Sequence, residues 1–559
     1  MKDSQNMMYI NKKQTLWINN QTNIWENEKF KIHWQGCLFI PGIPVGQRSI
    51  KFFAKEIEIK KIEKSCHILY GNFYCVVYNK KLDTYSIFTD NSRQSSVFYN
   101  LKNNFISSSF LHLVKLSHLE TKNILPSSIV EFILTGFIFT SEIFFKNIKI
   151  IKANEIITFR GNNSKIILKK KNLKNIFIES KKITKPKNFI QIFQKIADSL
   201  KGNKISITLT GGTDSRTLVT IFHDLNVNFE TAVSGVPTCP DVLISNKVAK
   251  IRKLTHYTTT HIIDSKTFEE EINKNFYLGD GLIDVLQTHR LYQFEKDKQK
   301  RKIDFSIGGS GGELYKDGGW WRIAFVRKNK KNIINSLINS GLIGWGLTKG
   351  KIPNNIFHKK LLKLAINYKK DISKKLKNRF ATNNQQDFYK MADQIFYEYS
   401  VRSPRGFNQR LIKNYNPLLE RNIVKLGINI LNKERFSHIF YRKIVTSIDP
   451  KIAKIKTTRG ASTMHSGIYY IIKDTLKMFL INNMFKKLFK KREVAITNPQ
   501  IYKAVKNSSN IKNLFLLLQK YKIINEKIKP NNIDNKYLGR LITLGMLIKY
   551  IEKSKDQKG

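Results

Sequence analysis

From the first residues to about position 160, apolar side chains come in short runs that alternate with polar ones: "KFFAKEIEIKKI", "HILYGNFYCVVYN", "TYSIFTD" and "NEIITFRG", with Asn, Gly and Ser between them. A period of two matches the pleat of a strand, so residues 1–160 are expected to form an antiparallel β-rich domain. The lysine-rich stretch "KKKNLKNIFIESKKITKPKN", with Pro186 near its end, reads as a linker over 161–188. From Phe189 the texture changes. "ISITLT" has strand character, and Leu218, Ile221, Phe222 and Leu225 then recur at helical spacing. "FETAVSGV", "HYTTTHII" and "KIDFSIGG" read as further strands, with residues 241–253 as a second helix. Strands alternating with helices over 189–330 predict a parallel sheet with crossover helices. Residues 331–559 read as its mostly helical continuation, without internal repeats. The fold class expected is therefore α/β, an antiparallel β-rich domain followed by a parallel-sheet domain with a helical carboxyl-terminal part.

At 559 residues, with 41% apolar and 11% aromatic content, the chain has enough apolar surface for a large core and lies outside the disordered class. Its 98 Lys+Arg against 42 Asp+Glu give a net charge of +56, which raises the question of an acidic partner. The lysines are spread along the whole chain, whereas a nucleic-acid footprint clusters on one face, so diffuse bias is preferred and no nucleic acid is expected. "LKMFLINNMFKKLFKKRE" suits peripheral contact with an anionic membrane, and also suits a helix with one core face and one solvated face. "IVEFILTGFIFTSEIFF" is interrupted by Glu131 and Glu142 and falls short of the roughly 20 residues of a membrane span. Cys37, Cys66, Cys75 and Cys239 show neither metal-ligand spacing nor a disulfide framework. With "MKDSQNMMYI" lacking an apolar signal core, a cytoplasmic protein without a transmembrane segment is expected.

"ISITLTGGTDSRTL" carries the most chemistry. Gly211 and Gly212 fall between a strand and a helix, where glycine allows a tight turn and close approach of the backbone to a ligand. The free N–H groups and positive dipole end of the helix favour an anion there. Thr210 and Ser215 add hydroxyl donors, and Asp214 is a hard oxygen ligand suited to Mg²⁺. The pattern is neither G-x-x-x-x-G-K-[ST] nor G-x-G-x-x-G, which disfavours a kinase-type phosphate loop and a dinucleotide fold.

"TGGTDS" resembles the S-G-G-x-D-S loop (PP-loop) of the ATP pyrophosphatases, with Thr210 in place of serine. The order of the surrounding pieces resembles the asparagine synthetase family. "YGNFYCVVYNKKLDTYSIFTD" is similar to its glutaminase-domain strands, and "VEFILTGFIFTSEIFFKNIKIIKANEIITF" to the stretch joining its two domains. "SGVPTCPDVLISNKVAK" and "SIGGSGGEL" resemble segments around its ATP site, and "SPRGFNQR" and "YNPLLE" its later helical region. The likeness covers about residues 35–470. It implies a class II glutaminase-like (Ntn-hydrolase-like) first domain and a PP-loop synthetase core that takes ATP and Mg²⁺. It places Thr210, Gly211, Gly212, Thr213, Asp214, Ser215, Ser234, Gly235, Gly308 and Gly311 around the nucleotide, with Asp214 on the metal. Asp214, Glu313, Lys456 and Arg459 become the catalytic candidates.

Three departures qualify the likeness. Lys2 stands where glutamine-dependent members carry a nucleophilic cysteine, and Cys37 reads as a small core residue, so the first domain is expected to lack glutaminase activity. Aligned on Glu313, the family's metal-binding Asp falls on Gly312 and its acid/base Glu on Gly309. A lysine role in acyl transfer falls near "IDPKIAKIKTTRG", where Lys456 and Arg459 are nearest. The expected function is an ATP-dependent amide-forming ligase that adenylates a carboxylate: aspartate, a uronic sugar or a peptide. The nitrogen would come from ammonia or a substrate amine. The alternatives are a tRNA-modifying enzyme of the same loop type and a catalytically inactive binding or scaffold protein.

Overall fold

In the computed structural model, the described residues are 8–10, 16–18, 23–138 except 93 and 103, 143–160, 163–173, 176–177, 183–260, 267–317, 355–379, 385–400, 411–458, 462–464, 472 and 499–556. "SPRGFNQR", Arg459 and "LKMFLINNMFKKLFKKRE" lie outside them. The molecule is α/β, with antiparallel sheets first and a parallel sheet later.

Among the described residues, eleven strands precede the parallel sheet: β1 (Met8–Ile10), β2 (Leu16–Ile18), β3 (Asn23–Glu26), β4 (Phe30–Phe39), β5 (Tyr70–Asn79), β6 (Thr84–Thr89), β7 (Phe98–Asn100), β8 (Phe105–Ser107), β9 (Ile148–Ile150), β10 (Glu155–Arg160) and β11 (Asn163–Lys170). They form a five-stranded sheet, β2-β1-β8-β7-β9, and a six-stranded sheet, β11-β10-β6-β5-β4-β3. Every neighbouring pair for which a register is defined is antiparallel. Val76, Ile87 and Ile157 of the larger sheet pack against Tyr99 and Ile106 of the smaller, which is the alternation the period-two runs required.

One of those runs is a helix. "KFFAKEIEIKKI" falls mostly within the helix Gln47–Lys60, whose buried residues Ile50, Phe53, Ala54 and Ile57 follow the spacing i, i+3, i+4, i+7. A strand would have put Ile57 and Ile59 on one face, yet Ile59 is 75% exposed. The expected strand is corrected to a helix that covers the outer face of the larger sheet, against Trp34, Phe73 and Phe88. The stretch expected as a linker is also partly structured. β11 carries the larger sheet to Lys170, Lys171 is buried with Nζ donating to the Thr89 carbonyl at 2.5 Å, and Pro186 opens the helix Pro186–Leu200. Proline suits that first helical position because its missing N–H would have had no intrahelical partner there.

The parallel sheet contains β12 (Ile205–Thr208), β13 (Phe229–Ser234), β14 (His256–Thr259), β15 (Phe305–Ile307) and β16 (Lys413–Tyr415), in the order β14-β13-β12-β15-β16. The first four are those the sequence predicts. The helices Thr213–Asp224 and Pro240–Ile251 make the first two crossovers, with Leu218, Ile221 and Phe222 fully buried. The fifth strand, β16, comes from the stretch read as helical. After it the described residues are mainly helical, to Asp556. No helix among the described residues is long and apolar enough to cross a membrane, and Ile129–Leu134 of "IVEFILTGFIFTSEIFF" lie in the protein core.

The antiparallel unit is joined to the parallel one by shared core and by buried polar contacts. The rings of Phe39 (β4) and Tyr415 (β16) meet edge to face at 5.4 Å. Just past β16, Glu420 accepts the Gly71 N–H at 2.6 Å, and Asn416 Nδ2 donates to Gln94 Oε1 at 2.9 Å. Asp280 accepts Ser109 Oγ, Phe110 N–H and Leu111 N–H at 2.6, 2.5 and 3.2 Å, serving the start of a helix 170 residues earlier. Replacing Asp280 by Ala orphans these buried donors, so a cost of about 1–3 kcal/mol is expected, read as a lower thermal midpoint.

Burial pushes the Glu420 carboxyl well above its usual 4.5. Its protonated form is thus favoured by folding, and the wild type should lose stability as pH rises above that value, because the unfolded chain ionises first. Glu420→Gln keeps an acceptor for Gly71 without the charge, and its thermal midpoint should exceed the wild-type midpoint at pH 8 but not at pH 4.

Candidate functional site

In the parallel sheet the chain steps outward from β12 to β13 and β14, then returns to place β15 on the other side of β12. This is a topological switch point, where the loops after two neighbouring strands turn apart and leave a crevice at the carboxyl ends. The loop after β12 is residues 209–212, and the loop after β15 is residues 308–311. Both glycine-rich motifs therefore border one crevice.

The first loop is held by its own hydroxyls and by its neighbours. Ser215 Oγ accepts the Thr210 N–H at 3.0 Å and lies 3.0 Å from Thr210 Oγ1, which accepts the Gly212 N–H at 3.3 Å. The Gly211 N–H donates to Asp241 Oδ1 at 2.8 Å, and the Gly211 carbonyl accepts the Thr458 N–H at 3.1 Å. Gly212 caps the helix Thr213–Asp224 without a side-chain bond, so no cap side chain satisfies the first-turn amides. Thr213 Oγ1 lies 3.1 Å from His438 Nδ1, and His438 Nε2 lies 3.3 Å from Asp317 Oδ1, all three residues being buried.

The second loop presses onto the first. A methyl group built on Gly309 would come within 3.3 Å of the Ser215 nitrogen, and one on Gly312 would come within 2.6 and 2.7 Å of the Asp214 oxygens. Gly311 has φ 93°, in the left-handed region that favours glycine. Gly308 donates to the Tyr415 carbonyl at 3.0 Å, which ties the turn to β16. Both Asp214 oxygens accept from Lys316 Nζ, at 2.7 and 2.5 Å. The Tyr441 phenol is pushed up by burial, and further by the negative charges of Asp214 and Glu313, so the two carboxylates act on one buried ring. Ser234 Oγ, at the end of β13, and Tyr441 Oη are buried without a hydrogen-bond partner among the described residues. Gly235 donates to the Thr259 carbonyl at 3.1 Å.

Thr210 to Ser215 and Gly308 to Glu313 thus follow the two strands that flank the switch point, and Ser234 and Gly235 end the adjacent strand. The late basic segment also reaches the first loop, through its backbone. The fully buried Arg216 donates to the carbonyls of Ile455 and Lys456, at 2.6 and 3.3 Å, which sets Thr458 on Gly211. The Lys456 side chain is exposed. Asp241, Arg216, Lys316 and His438 were not among the sequence candidates. Asp241 lies within the quoted "SGVPTCPDVLISNKVAK", whereas Lys316 and His438 carry no local signal.

The features here that suit an anion are the helix start, the unfilled position at Gly212 and the unpartnered Ser234 hydroxyl, whereas Gly211, Gly308, Gly309, Gly311 and Gly312 are packed against the protein's own atoms. A divalent cation held by the protein does not fit. Among the described residues no group of three or more His, Cys, Asp or Glu side chains stands together to hold a metal, and Lys316 engages both oxygens of Asp214. Comparison with protein-family models and with curated proteins gave no match.

The glycines respond differently to substitution. Gly212→Ala meets only Thr210 Oγ1 at 3.5 Å, an ordinary contact, and should leave the thermal midpoint unchanged. Gly211→Ala would come within 2.5 Å of the Thr458 side chain and Gly312→Ala would overlap Asp214, so both should lower the midpoint. Thermal unfolding of the three variants checks this ordering.

Proposed function

We propose that the protein is an ATP-dependent amide-forming ligase resembling asparagine synthetase. The observation that carries this reading is the seating of "TGGTDS" and "SIGGSGGEL" on one crevice at the switch point of the parallel sheet. Under it, the parallel-sheet part is a PP-loop pyrophosphatase core. The antiparallel part is a class II glutaminase-like, Ntn-hydrolase-like domain without its activity. Support for the latter is Cys37, buried inside β4 with its thiol pushed up by desolvation and so kept from acting as a thiolate.

The triphosphate lies against residues 210–215, with the first-turn amides of the helix Thr213–Asp224 and the hydroxyls of Thr210 and Ser215 as donors. An oxygen of the substrate carboxylate attacks the α-phosphorus, the bond between α-phosphorus and bridging oxygen breaks, and pyrophosphate leaves along the loop. Positioning and charge neutralisation carry such a step. An amine then attacks the acyl carbon and AMP departs. The resemblance assigns the charge that develops on the acyl oxygen to Lys456, whose side chain is exposed, and to Arg459, which lies outside the described residues. The carboxylate is aspartate, a uronic sugar or a peptide, and the nitrogen is ammonia or an amine on the substrate.

ATP–pyrophosphate exchange measured across candidate carboxylates tests the reading. Exchange with at least one is expected, with glutamine unable to replace ammonia or the substrate amine, and Asp214→Ala should lower the exchange rate by 100-fold or so. ATP binding with no exchange for any carboxylate would support the inactive binding protein instead.

A further inference from the structure

The charge arrangement at Asp214 goes beyond a nucleotide site. Lys316 follows the short 3₁₀ turn Gly312–Tyr315 and turns back so that its ammonium meets both carboxylate oxygens, at 2.7 and 2.5 Å. The two side chains are 11% and 21% exposed, so water screens the pair little, and the charge is balanced within the protein. The Gly312 backbone lies against the carboxylate so closely that even a methyl group there would overlap it, which closes one approach to Asp214. A metal ion would have to displace the ammonium, and no cluster of further ligands among the described residues offers compensation. An ammonium has three N–H donors. Two are taken by Asp214, which opens the first turn of the helix Thr213–Asp224, and one remains.

We propose that Lys316, positioned by Asp214, is the cation this protein presents to the triphosphate, in place of a divalent ion held by its own side chains. The inference rests on the nucleotide reading of the crevice. Asp214 is then a positioning residue for Lys316. A metal ion that arrives with the nucleotide is ligated by phosphate and water. The site reads a polyphosphate by a fixed lysine and helix amides, and its affinity for the nucleotide is nearly independent of magnesium.

Two measurements on the full-length protein test this. Mn²⁺ titration followed by electron paramagnetic resonance, without nucleotide, should show no Asp214-dependent site in the wild type or in Lys316→Gln, because no cluster of further ligands among the described residues joins Asp214 in holding the ion. Equilibrium binding of ATP should be about equally tight in EDTA and in Mg²⁺ for the wild type, and should weaken in EDTA by about tenfold or more in Lys316→Gln, the loss of one charge-assisted hydrogen bond. A wild-type Mn²⁺ site abolished by Asp214→Asn overturns the proposal. So does unchanged affinity for ATP in EDTA when Lys316 is replaced. If ATP does not bind at all, the ligase reading fails, whereas the Mn²⁺ titration still decides whether Asp214 holds a metal without nucleotide. The wild-type measurements need no variant to fold.

Discussion

The close approach of two glycine turns at the carboxyl end of the parallel sheet is the constraint on which the site depends. The turn after β15 lies against the first turn of the helix after β12, with Gly309 near Ser215 and Gly312 on Asp214. Side chains at these positions would force the turns apart, and the pairing of β12 with β15 fixes both at the same height. The carboxylate between them is compensated by Lys316, and the helix start beside it is of the kind that favours an anion.

The rest of the molecule stabilises that junction from two sides. Arg216, fully buried, holds the segment of Ile455 and Lys456 beside the loop through their carbonyls. On the other side, β16 is sandwiched between the parallel sheet and the antiparallel unit, with Tyr415 packed on Phe39 and Glu420 bonded to Gly71. A side chain on Gly71, at φ 116°, would collide with the Cys37 carbonyl. The antiparallel unit is thereby part of what shapes the crevice, whatever chemistry it has itself. Burying Glu420, Asp280 and Arg216 is tolerable because each meets backbone donors or acceptors.

Strands with a clear period of two or a compact apolar run were legible in the sequence, as β5, β6, β10 and β12 to β15 illustrate. "KFFAKEIEIKKI" was misread because a few residues of EIEI alternation fit either period, and only tertiary burial of Ile50, Phe53 and Ala54 decides between them. β16 was missed because three residues, Lys413–Tyr415, carry too little pattern. Within the site, the loop residues were legible because a strand, two glycines and a helix leave a local trace. Lys316 and His438 were not, since their meaning arises only when segments 102 and 225 residues apart are brought together. Lys456 was singled out by its charge, yet its contact with the site is through its carbonyl.

The central claim is that residues 210–215 and the turn after β15 together hold a nucleotide triphosphate. Hydrogen–deuterium exchange of the backbone amides, with and without ATP, tests it most directly. ATP is expected to slow exchange at residues 211–216 and 308–314 together, at the same nucleotide concentration. Slowing confined to another region of the chain, or no change at either turn under saturating ATP, would contradict it.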